Sequence, residues 1–466
     1  MYPRDLIGYG RTPPEAHWPG GARIAVNFVI NYEEGGENSI LHGDEASEAF
    51  LSEIVGAVAW PGQRHMNMES LYEYGSRVGF WRLHRMFTQR AMPLTVFGIA
   101  TAMQRNPDAV AAMNEAGWEI ASHGLKWIEY RNFTAAAERE HILEATRIHT
   151  EVAGSRPLGF YQGRGAVHTL GIVQQEGGFL YSADCYNDEV PFWVQGERGP
   201  FLMVPYTLDA NDMRFATAQG FNSGDQFFSY LKDSFDVLYA EGGKMLSVGL
   251  HCRLAGRPGR AAALARFLDY IAEKPGVWVA RRVDIARHWI RAHPPAAGLK
   301  PSTLSPAMFH ELYGDLAEHT PELAATVHAS GLGVAQDTPE GLHRAFVAAV
   351  RAWPQERQRS FLNAHPDLAG KLHAAKALTA DSTAEQASAG LDHLSDAERA
   401  RFLALNAQYR ARHGIPFIVA VKGLSKDDIL AAFEARIGND PSAEHAEALR
   451  QVERSMLLRL QDRMQA

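Results

Sequence analysis

The chain has 466 residues and a formal net charge of −8, with 46% hydrophobic and 21% charged residues. This length predicts two to four domains, and the composition is that of an ordinary globular protein with ample apolar material for large cores. The negative charge, and the absence of a block rich in lysine and arginine, argue against a nucleic-acid partner. No apolar run approaches the roughly eighteen residues that a membrane span requires, and the first residues lack the pattern of a signal peptide.

Cysteine usage indicates the compartment. Cys185 and Cys252 are too few for a disulfide framework, and neither belongs to a CxxC motif. We therefore expect a cytoplasmic protein. The lack of a signal peptide also favours a small substrate inside the cell over an extracellular polysaccharide.

The composition changes near residue 295. Eight of the nine tryptophans and most glycines precede this point, whereas the chain after it is rich in alanine, leucine, glutamate and arginine. Residues 293–302, with the sequence HPPAAGLKPS, contain prolines and a glycine that break helices and favour an exposed linker. We predict a first domain over residues 1–295, a linker over 296–304 and a second domain over 305–466.

The first domain alternates β-rich runs with helical patterns. Helical periodicity is found at 72–89, 135–152 and 261–271. The candidate strands are 23–32, 94–99, 118–121, 158–161, 180–184, 202–206, 245–251 and 277–281. Strands that alternate with helices predict a parallel sheet, and we expect it to be closed or nearly closed as a deformed β/α barrel.

The second domain has helical patterns throughout, so the predicted fold class of the chain is α/β plus all-α. Ser305 and Ser395 precede two of these patterns as helix starts. The clearest apolar spacing is found at 342–352, 396–413, 426–437 and 443–463.

Chemistry-bearing residues of the first domain cluster at strand ends. The catalytic groups of a β/α barrel gather at the carboxyl ends of its strands. The residues at such ends here are Glu33, Glu34, His123, Asp184 and His251. Their shared placement predicts an active site.

Acid and base chemistry at this site would come from carboxylates and a histidine. Glu33 and Glu34 are adjacent, and neighbouring carboxylates raise each other's pKa toward neutrality; a solvated turn is the alternative. His251 follows an apolar strand, as a general acid or as a hydrogen-bonded core histidine. Arg156 begins a predicted strand and Arg164 lies just beyond it, where an arginine could hold a carboxylate or a substrate carbonyl.

His123 and Trp127 occupy the run 121–127, ASHGLKW, at the end of a predicted strand. A His-x-x-x-His at this place would offer two imidazoles to one zinc ion. Tryptophan has an N–H donor and no free lone pair, so it does not ligate a metal. The pattern indicates the frame of a metallohydrolase without its metal; a packed core pair is the alternative.

The order of these elements resembles the polysaccharide deacetylase (NodB-homology) superfamily over about residues 1–295. Its usual pattern is Asp-Asp, His-x-x-x-His, an Arg-x-Pro-like run and a late Leu-x-His. Here Glu33-Glu34 stands for Asp-Asp and Trp127 for the second histidine. This departure is similar to the metal-independent allantoinase branch, where Glu-His-Trp replaces Asp-His-His.

The resemblance implies hydrolysis of the hydantoin ring amide of (S)-allantoin to allantoate, with no metal or other cofactor. By position, Glu34 replaces the metal carboxylate, Glu33 the base and His251 the acid, and which glutamate activates water stays open. The residues implied to bind substrate are His123, Trp127, Arg156 and Arg164.

Three segments stand out in the second domain. His365 precedes Pro366, which fixes the local backbone. Residues 382–386, STAEQ, have a helix-start pattern, for which a capping box is the simple reading. Residues 416–423, PFIVAVKG, form an apolar run whose alternative is a buried connection.

Together these segments resemble the family of 2-oxo-4-hydroxy-4-carboxy-5-ureidoimidazoline (OHCU) decarboxylases, which is all-helical and cofactor-free, over about 305–463. The family's early Ser-Pro-Trp is Thr320-Pro321-Glu322 here, which puts a contact near that loop in doubt. The resemblance implies catalytic roles for His365 as the acid/base, Glu385 and Arg459. The residues implied to line the pocket are Pro366, Ser382, Thr383, Ala384, Gln386, Phe417, Ile418, Val419, Ala420 and Val421.

The two resemblances meet in one pathway, because the product of the decarboxylase is the substrate of the allantoinase. We therefore predict a bifunctional enzyme of ureide catabolism that acts on small ureides, without nucleic-acid or membrane partners. A homo-oligomer is expected, of a size that the sequence does not give. The alternative is a metal-dependent deacetylase of N-acetyl sugars with a non-catalytic helical module.

Overall fold

The computed structural model describes residues 4–54, 56–218, 220–368, 385, 389–391 and 393–465. The chain divides into two compact units, Met1–Gly298 and Leu299–Ala466. This division falls inside the predicted linker, and the predicted domain boundaries stay a prediction. Within the described parts of the chain, none of the helices combines the length and the hydropathy required to cross a lipid bilayer.

The first unit is built on one nine-stranded sheet. Its strands are β1 (Ile24–Tyr32), β2 (Thr95–Gly98), β3 (Glu119–Ser122), β4 (Gly159–Phe160), β5 (Tyr181–Ser182), β6 (Phe192–Gly196), β7 (Gly199–Met203), β8 (Lys244–His251) and β9 (Val277–Val279). The order across the sheet is β6-β7-β5-β4-β3-β2-β1-β8, and β9 pairs with the start of β1. The β6–β7 pair is antiparallel, and the other described pairs are parallel.

Strand β1 pairs with β2, β8 and β9 and is buried along its whole length. Its near-continuous apolar sequence, IAVNFVINY, is typical of a parallel strand that is covered on both faces. β8 pairs with it in register, so that Asn31 lies opposite His251. The carboxyl ends of β1 and β8 therefore lie side by side.

The sheet curls until its two ends approach each other. Beyond β7, the carbonyl of Ala210 accepts a hydrogen bond from the N–H of Gly249 in β8, at 3.0 Å. Asn211 also forms an isolated parallel bridge with Gly249. The predicted fold class, a deformed and nearly closed β/α barrel followed by a helical region, is confirmed.

Several strands differ from their predicted bounds. β4 and β5 are short pairs of residues, and β7 begins and ends three residues before the predicted strand. β6 was not predicted from the sequence: it is a half-exposed edge strand that continues into β7 through a tight antiparallel turn. Its sequence, FWVQG, lacks the buried apolar run by which the other strands are recognised.

Nine α-helices accompany the strands in the described residues of the first unit. Thr134 and Ser223 cap two of them, each accepting a hydrogen bond from the backbone N–H three residues on. A π-helical turn, Gly75–Gly79, joins the first two helices. The helices are Met66–Tyr74, Phe80–Gln89, Ala100–Arg105, Pro107–Glu115, Ala135–Ala153, Thr169–Glu176, Gly224–Glu241, Pro258–Ala272 and Arg282–Ala292.

Among its described residues, the second unit contains helices joined by turns and loops, and no strand. Ser305 and Ser395 cap the helices that they precede, as predicted, and Ser395 forms a reciprocal capping box with Glu398. Phe402, Tyr409 and Phe433 are fully buried in its core. The helices are Pro306–Tyr313, Glu322–Ala329, Pro339–Arg351, Gln355–Asn363, Asp396–His413, Lys426–Arg436 and Pro441–Gln465.

Candidate active sites

Four predicted residues of the first unit meet at one edge of the barrel. Glu33 and Glu34 directly follow β1, His123 follows β3, and His251 is the last residue of β8. Each is at most 4% exposed. Buried polar groups need partners, so the contacts within this cluster determine its protonation and its chemistry.

One oxygen of Glu33 lies between two imidazoles. Glu33 Oε1 is 3.4 Å from His123 Nε2 and 3.4 Å from His251 Nε2. The Nδ1–H of His123 donates to the carbonyl of Tyr161 at 3.2 Å, because a carbonyl only accepts. His123 Nε2 is buried and forms no hydrogen bond within the described structure. It therefore faces Glu33 from inside the site.

Arg253 joins the two carboxylates, and sequence reasoning assigned it no role. Its Nη2 lies 2.7 Å from Glu33 Oε2 and its Nη1 lies 3.5 Å from Glu34 Oε1. Its backbone N–H also donates to Glu34 Oε1 at 3.1 Å. The guanidinium is 2% exposed, so a fully buried cation balances two buried carboxylates. The available signal was its place two residues after His251.

The two glutamates differ in proton affinity. Burial raises the pKa of Glu33, but the charges of Arg253 and His251 outweigh burial and hold this pKa well below its usual range. Burial is also the largest effect on Glu34, and there, with the charge of Glu33, it leaves the pKa raised. The expectation that adjacency raises a pKa thus applies to Glu34, with burial as the main cause.

His251 is held by an aspartate that sequence reasoning missed. Asp212, in the 3-10 helix Asp212–Phe215, accepts from His251 Nδ1 at 2.6 Å and from the His251 backbone N–H at 2.7 Å. Burial lowers the pKa of His251, but the charges of Glu33 and Asp212 outweigh it and raise this pKa to about 9. At neutral pH the imidazole is therefore protonated, with Nε2 directed at Glu33.

Trp127 and Arg164 lie beside this cluster. The Arg164 guanidinium carbon is 3.9 Å from the centroid of the Trp127 ring, and that of Arg253 is 5.2 Å from it. The Phe50 ring stacks on the indole at 5.9 Å. The indole thus lies against two guanidinium groups, which is the cation–π arrangement.

Arg156 is not brought to the cluster. It precedes β4, so it lies toward the amino end of the strands, away from the edge that holds Glu33. Its Nη2 pairs with both oxygens of Glu176 at 2.7 Å, and its Nε donates to the carbonyl of Gly178. The guanidinium of Arg156 is thus paired outside the cluster, and its role in substrate binding stays a prediction, whereas Arg253 is an arginine that does join the cluster.

Asp184 lies at the end of β5, as predicted, and caps a neighbouring loop. Its two oxygens accept the backbone N–H groups of Gln162 and Gly163, each at 2.8 Å. Burial raises its pKa to about 6 despite these hydrogen bonds.

The residues of this cluster do not fit a divalent metal ion. The Trp127 indole has no lone pair to offer, and one carboxylate oxygen of each glutamate faces the cationic Arg253. Within the described residues, no group of three or more histidine, cysteine, aspartate or glutamate side chains is arranged to hold a metal.

The second unit contains a cavity that unites most of its predicted site residues. His365 follows the helix Gln355–Asn363, and its Nδ1–H donates to the carbonyl of Phe361 at 3.1 Å. Burial lowers the pKa of His365, so the neutral imidazole directs Nε2 away from that carbonyl. The predicted residues that line the cavity are His365, Pro366, Glu385, Phe417, Ile418, Val419, Val421 and Arg459.

Arg459 and Glu385 form a two-point ion pair in the cavity wall. Arg459 Nε and Nη2 lie 2.8 and 2.9 Å from the two oxygens of Glu385. A second carboxylate, Glu318, lies 3.7 Å from Arg459 Nη2 and is 2% exposed. Sequence reasoning did not select Glu318, although it lies two residues before the atypical Thr320.

The remaining predicted pocket residues are not among those that line this cavity in the described structure. The N–H of Ala420 donates to Gln451 Oε1 at 3.0 Å, in the same segment as the lining residues. The others lie outside the described residues: Ser382, Thr383, Ala384 and Gln386.

These observations define a two-unit enzyme: an acid/base cluster at the rim of a deformed β/α barrel, and a His–Glu–Arg cavity in a helical unit. The family model of polysaccharide deacetylase matches residues 68–172, and that of OHCU decarboxylase matches residues 302–461. The chain belongs to the polysaccharide deacetylase family in its first unit and to the OHCU decarboxylase family in its second.

Individual relatives agree with this assignment. A putative polysaccharide deacetylase of Schizosaccharomyces pombe is 42% identical over 315 residues, which is 62% of this chain and 98% of the relative. The 2-oxo-4-hydroxy-4-carboxy-5-ureidoimidazoline decarboxylase of Amia calva is 37% identical over 164 residues, 35% of this chain and 92% of the relative. The crystal structure of Puue allantoinase is 60% identical, with a TM-score of 0.63, and covers 64% of this chain and 100% of its own.

Proposed function

We propose that this protein is a bifunctional enzyme of ureide catabolism, in the degradation of urate. Its second unit decarboxylates OHCU to (S)-allantoin, and its first unit hydrolyses (S)-allantoin to allantoate. One observation carries the proposal: a unit 60% identical to Puue allantoinase is joined, in one chain, to a unit 37% identical to an OHCU decarboxylase.

Hydrolysis of the hydantoin ring requires a base for water and an acid for the leaving nitrogen. His251 is the acid, because its protonated Nε2 faces the site while Asp212 holds Nδ1–H. Glu33 is the base, because its Oε1 lies between the two imidazoles. Both oxygens of Glu34 already accept backbone N–H groups, from Glu33 and Arg253.

Substrate recognition in this unit uses the neighbouring groups. His123 directs Nδ1 at the carbonyl of Tyr161 and Nε2 at the site, where Nε2 forms a hydrogen bond with the hydantoin ring. Trp127 and Arg164 close the pocket at its rim. Hydrolysis proceeds without a metal ion, a proposal supported by the poor fit of these side chains to metal ligation.

Decarboxylation in the second unit leaves carbanion character next to a carbonyl, and an acid must deliver a proton to one face. His365 is this acid/base group, with Nε2 directed into the cavity. Arg459 holds Glu385 in place through the two-point ion pair, and its positive charge stabilises the developing negative charge. The apolar segment that contains Phe417 and Ile418 forms the wall beside the substrate.

We also propose that the protein is cytoplasmic and forms a homo-oligomer, and that its domains are 1–295 and 305–466, joined by a linker over 296–304. The free thiols Cys185 and Cys252 support a reducing compartment.

Freshly generated OHCU tests the two activities together. We expect (S)-allantoin to accumulate first and allantoate to follow, at rates that an excess of chelator leaves unchanged. An N-acetyl-glucosamine oligomer serves as the control substrate, and we expect no release of acetate. Loss of hydrolysis with chelator and its recovery with zinc, or release of acetate, would instead favour a metal-dependent deacetylase.

A further inference from the structure

Two adjacent buried carboxylates require a compensating charge in the first site. Glu33 and Glu34 are 1% and 3% exposed, and two such charges lose the solvation that water would give them. A divalent metal ion is one way to supply positive charge at such a place, but this donor set does not fit a metal. Arg253 supplies the charge instead from the turn that follows β8.

The hydrogen-bond donors of Arg253 are each directed at a different acceptor. Nη2 binds Glu33 Oε2, Nη1 approaches Glu34 Oε1, and Nε donates to the carbonyl of Leu51 at 3.3 Å. A planar fork of donors on a rigid frame fixes the orientation of the carboxylates that it binds. Because Arg253 binds Oε2 of Glu33, the other oxygen of that carboxylate is directed to His123 and His251.

Two aromatic rings, whose centroids are 6.4 Å apart, lie against the guanidinium of this network. Its carbon lies 4.2 Å from the centroid of the Tyr72 ring and 5.2 Å from that of Trp127. An aromatic face attracts a guanidinium, whereas it offers a metal ion no lone pair. The indole at position 127 therefore suits an arginine-centred site for the same reason that it does not suit a metal-centred one.

The surrounding backbone leaves room for the arginine and its partners. A Cβ on Gly75 would overlap the Glu34 carboxylate, and a Cβ on Gly79 would overlap the carbonyl of Cys252, the residue before Arg253. The π-helical turn Gly75–Gly79 thus allows the β8 turn and Glu34 to approach it closely.

We infer that the Arg253 guanidinium replaces a metal ion as the fixed cation of the hydrolytic site, and that Arg253 is the positioning residue for Glu33. This role rests on the proposed allantoin hydrolysis. Arg253 does not touch the reacting atoms; it keeps Glu33 ionised and turns Oε1 toward the two imidazoles.

Chemical rescue of Arg253→Ala tests the inference. We expect kcat/KM for (S)-allantoin to fall by about 100-fold or more, as for the loss of a preorganised charge. Guanidinium ion at low millimolar concentration should raise kcat/KM of this variant at least about tenfold, since it can occupy the vacated space. It should also raise the melting temperature of the variant, because a ligand that binds the native state stabilises it.

The matched control is Arg257→Ala, in the same turn. Arg257 packs on Tyr74 and pairs with Glu53, outside the cluster of Glu33 and Glu34. We expect this variant to keep nearly full activity and to show no response to low millimolar guanidinium. A second variant, Arg253→Lys, keeps the charge but lacks the fork, so we expect it to fold and to lose most of its activity.

The outcomes separate this inference from the function on which it rests. A wild-type protein that does not hydrolyse (S)-allantoin overturns the proposed function. If the wild type is active, two outcomes overturn the role of Arg253. One is full activity of folded Arg253→Ala or Arg253→Lys. The other is a loss of activity in folded Arg253→Ala that guanidinium does not relieve. If Arg253→Ala does not fold, the activity of Arg253→Lys decides the question.

Discussion

Asp212 orients His251 and, together with Glu33, keeps its imidazole protonated. The Asp212 carboxylate accepts from the ring Nδ1–H, from the His251 backbone N–H and from the backbone N–H of Ala255. Three hydrogen bonds on one aspartate fix the imidazole ring as well as its charge. The side chain is therefore prepared as a proton donor before any substrate binds.

The pH dependence of allantoin hydrolysis should follow the protonation of His251, which is paired with Asp212. The pKa of His251 is raised to about 9, so the acid form is present below that pH and is lost above it. We expect kcat/KM to decline with a midpoint near pH 9, once the uncatalysed hydrolysis is subtracted. Asp212→Asn should move this midpoint to lower pH by about one unit or more, because a charge that favours the imidazolium is removed.

Asp209→Asn is the control for this measurement. Asp209 accepts from Thr207 and Tyr230 and has a partly exposed environment. Its variant should keep the midpoint of the wild type. An unchanged midpoint in Asp212→Asn would contradict the assignment of His251 as the acid.

Restoring a histidine at position 127 should not restore a metal site. In Trp127→His the imidazole would lie beside Arg164 and Arg253, and two positive charges oppose the binding of a divalent cation. We expect no stoichiometric zinc by elemental analysis, and a loss of allantoin hydrolysis of about 100-fold from misplaced groups. Trp127→Phe, which keeps an aromatic face, should retain more activity. One equivalent of zinc with new deacetylase activity in Trp127→His would contradict this account.

Some residues of the site could be predicted from the sequence and others could not. Glu33, Glu34 and His251 end apolar strands, and parallel strands bring their carboxyl ends together. Arg253 and Asp212 lie in a turn and a 3-10 helix, whose directions depend on packing rather than on periodicity. A buried carboxylate pair nevertheless requires a cation, and that requirement is the physical signal that was available in the sequence.

Among the elements, the π-helical turn Gly75–Gly79 is the one most closely tied to the hydrolytic site. It packs against the turn after β8, where Gly256 also closely approaches Gly79. The contact is backbone against backbone, so there is no flexible side chain that could move aside.

A methyl group on this turn should damage both stability and hydrolysis. Gly79→Ala would overlap the carbonyl of Cys252 and should destabilise the first unit by about 1–3 kcal/mol or more. We also expect kcat/KM for (S)-allantoin to fall at least about tenfold, because Arg253 is the next residue. Calorimetry and initial rates provide the measurements.

Gly171→Ala supplies the comparison, since no atom lies within 4 Å of a Cβ at that exposed helical position. It should leave activity intact and stabilise the helix by up to about 1 kcal/mol. Equal behaviour of the two variants would show that the close approach at Gly79 is not required.

The elements differ in how well the sequence predicts them. The helix Asp396–His413 has its predicted bounds because a capping serine begins it and Gly414, with a φ of 67°, ends it. β4 and β5 are shorter than predicted, although flanking residues such as Tyr161 and Ala183 still donate backbone hydrogen bonds to the neighbouring strands. β6 was missed because its partly exposed residues do not show burial on either face.

At the scale of the whole molecule, the proposed function assigns each unit its own set of groups for one reaction. The barrel rim holds Glu33, His123 and His251, and the helical cavity holds His365 and Arg459. No residue of one set is required by the chemistry of the other. The two activities should therefore be separable by substitution within the intact chain.

Single substitutions should separate the activities. His365→Ala should lower decarboxylation by about 10²–10⁴-fold and leave allantoin hydrolysis within about twofold of the wild type. His251→Ala should do the reverse. Each reaction is assayed with its own substrate, (S)-allantoin or freshly generated OHCU. Loss of both activities in a folded single variant would exclude independent sites.

The pairing of β1 with β8 also has a consequence for the order of folding. Glu33 and its cation, Arg253, are 220 residues apart in the chain. At about 5–20 residues per second, the ribosome delivers the arginine roughly 10 to 40 seconds after the glutamate. During that interval, burial of the two carboxylates would carry the cost of unbalanced charge. We therefore expect the end of the nascent first strand to stay hydrated, and the barrel to close only after β8 and the turn that carries Arg253 have emerged.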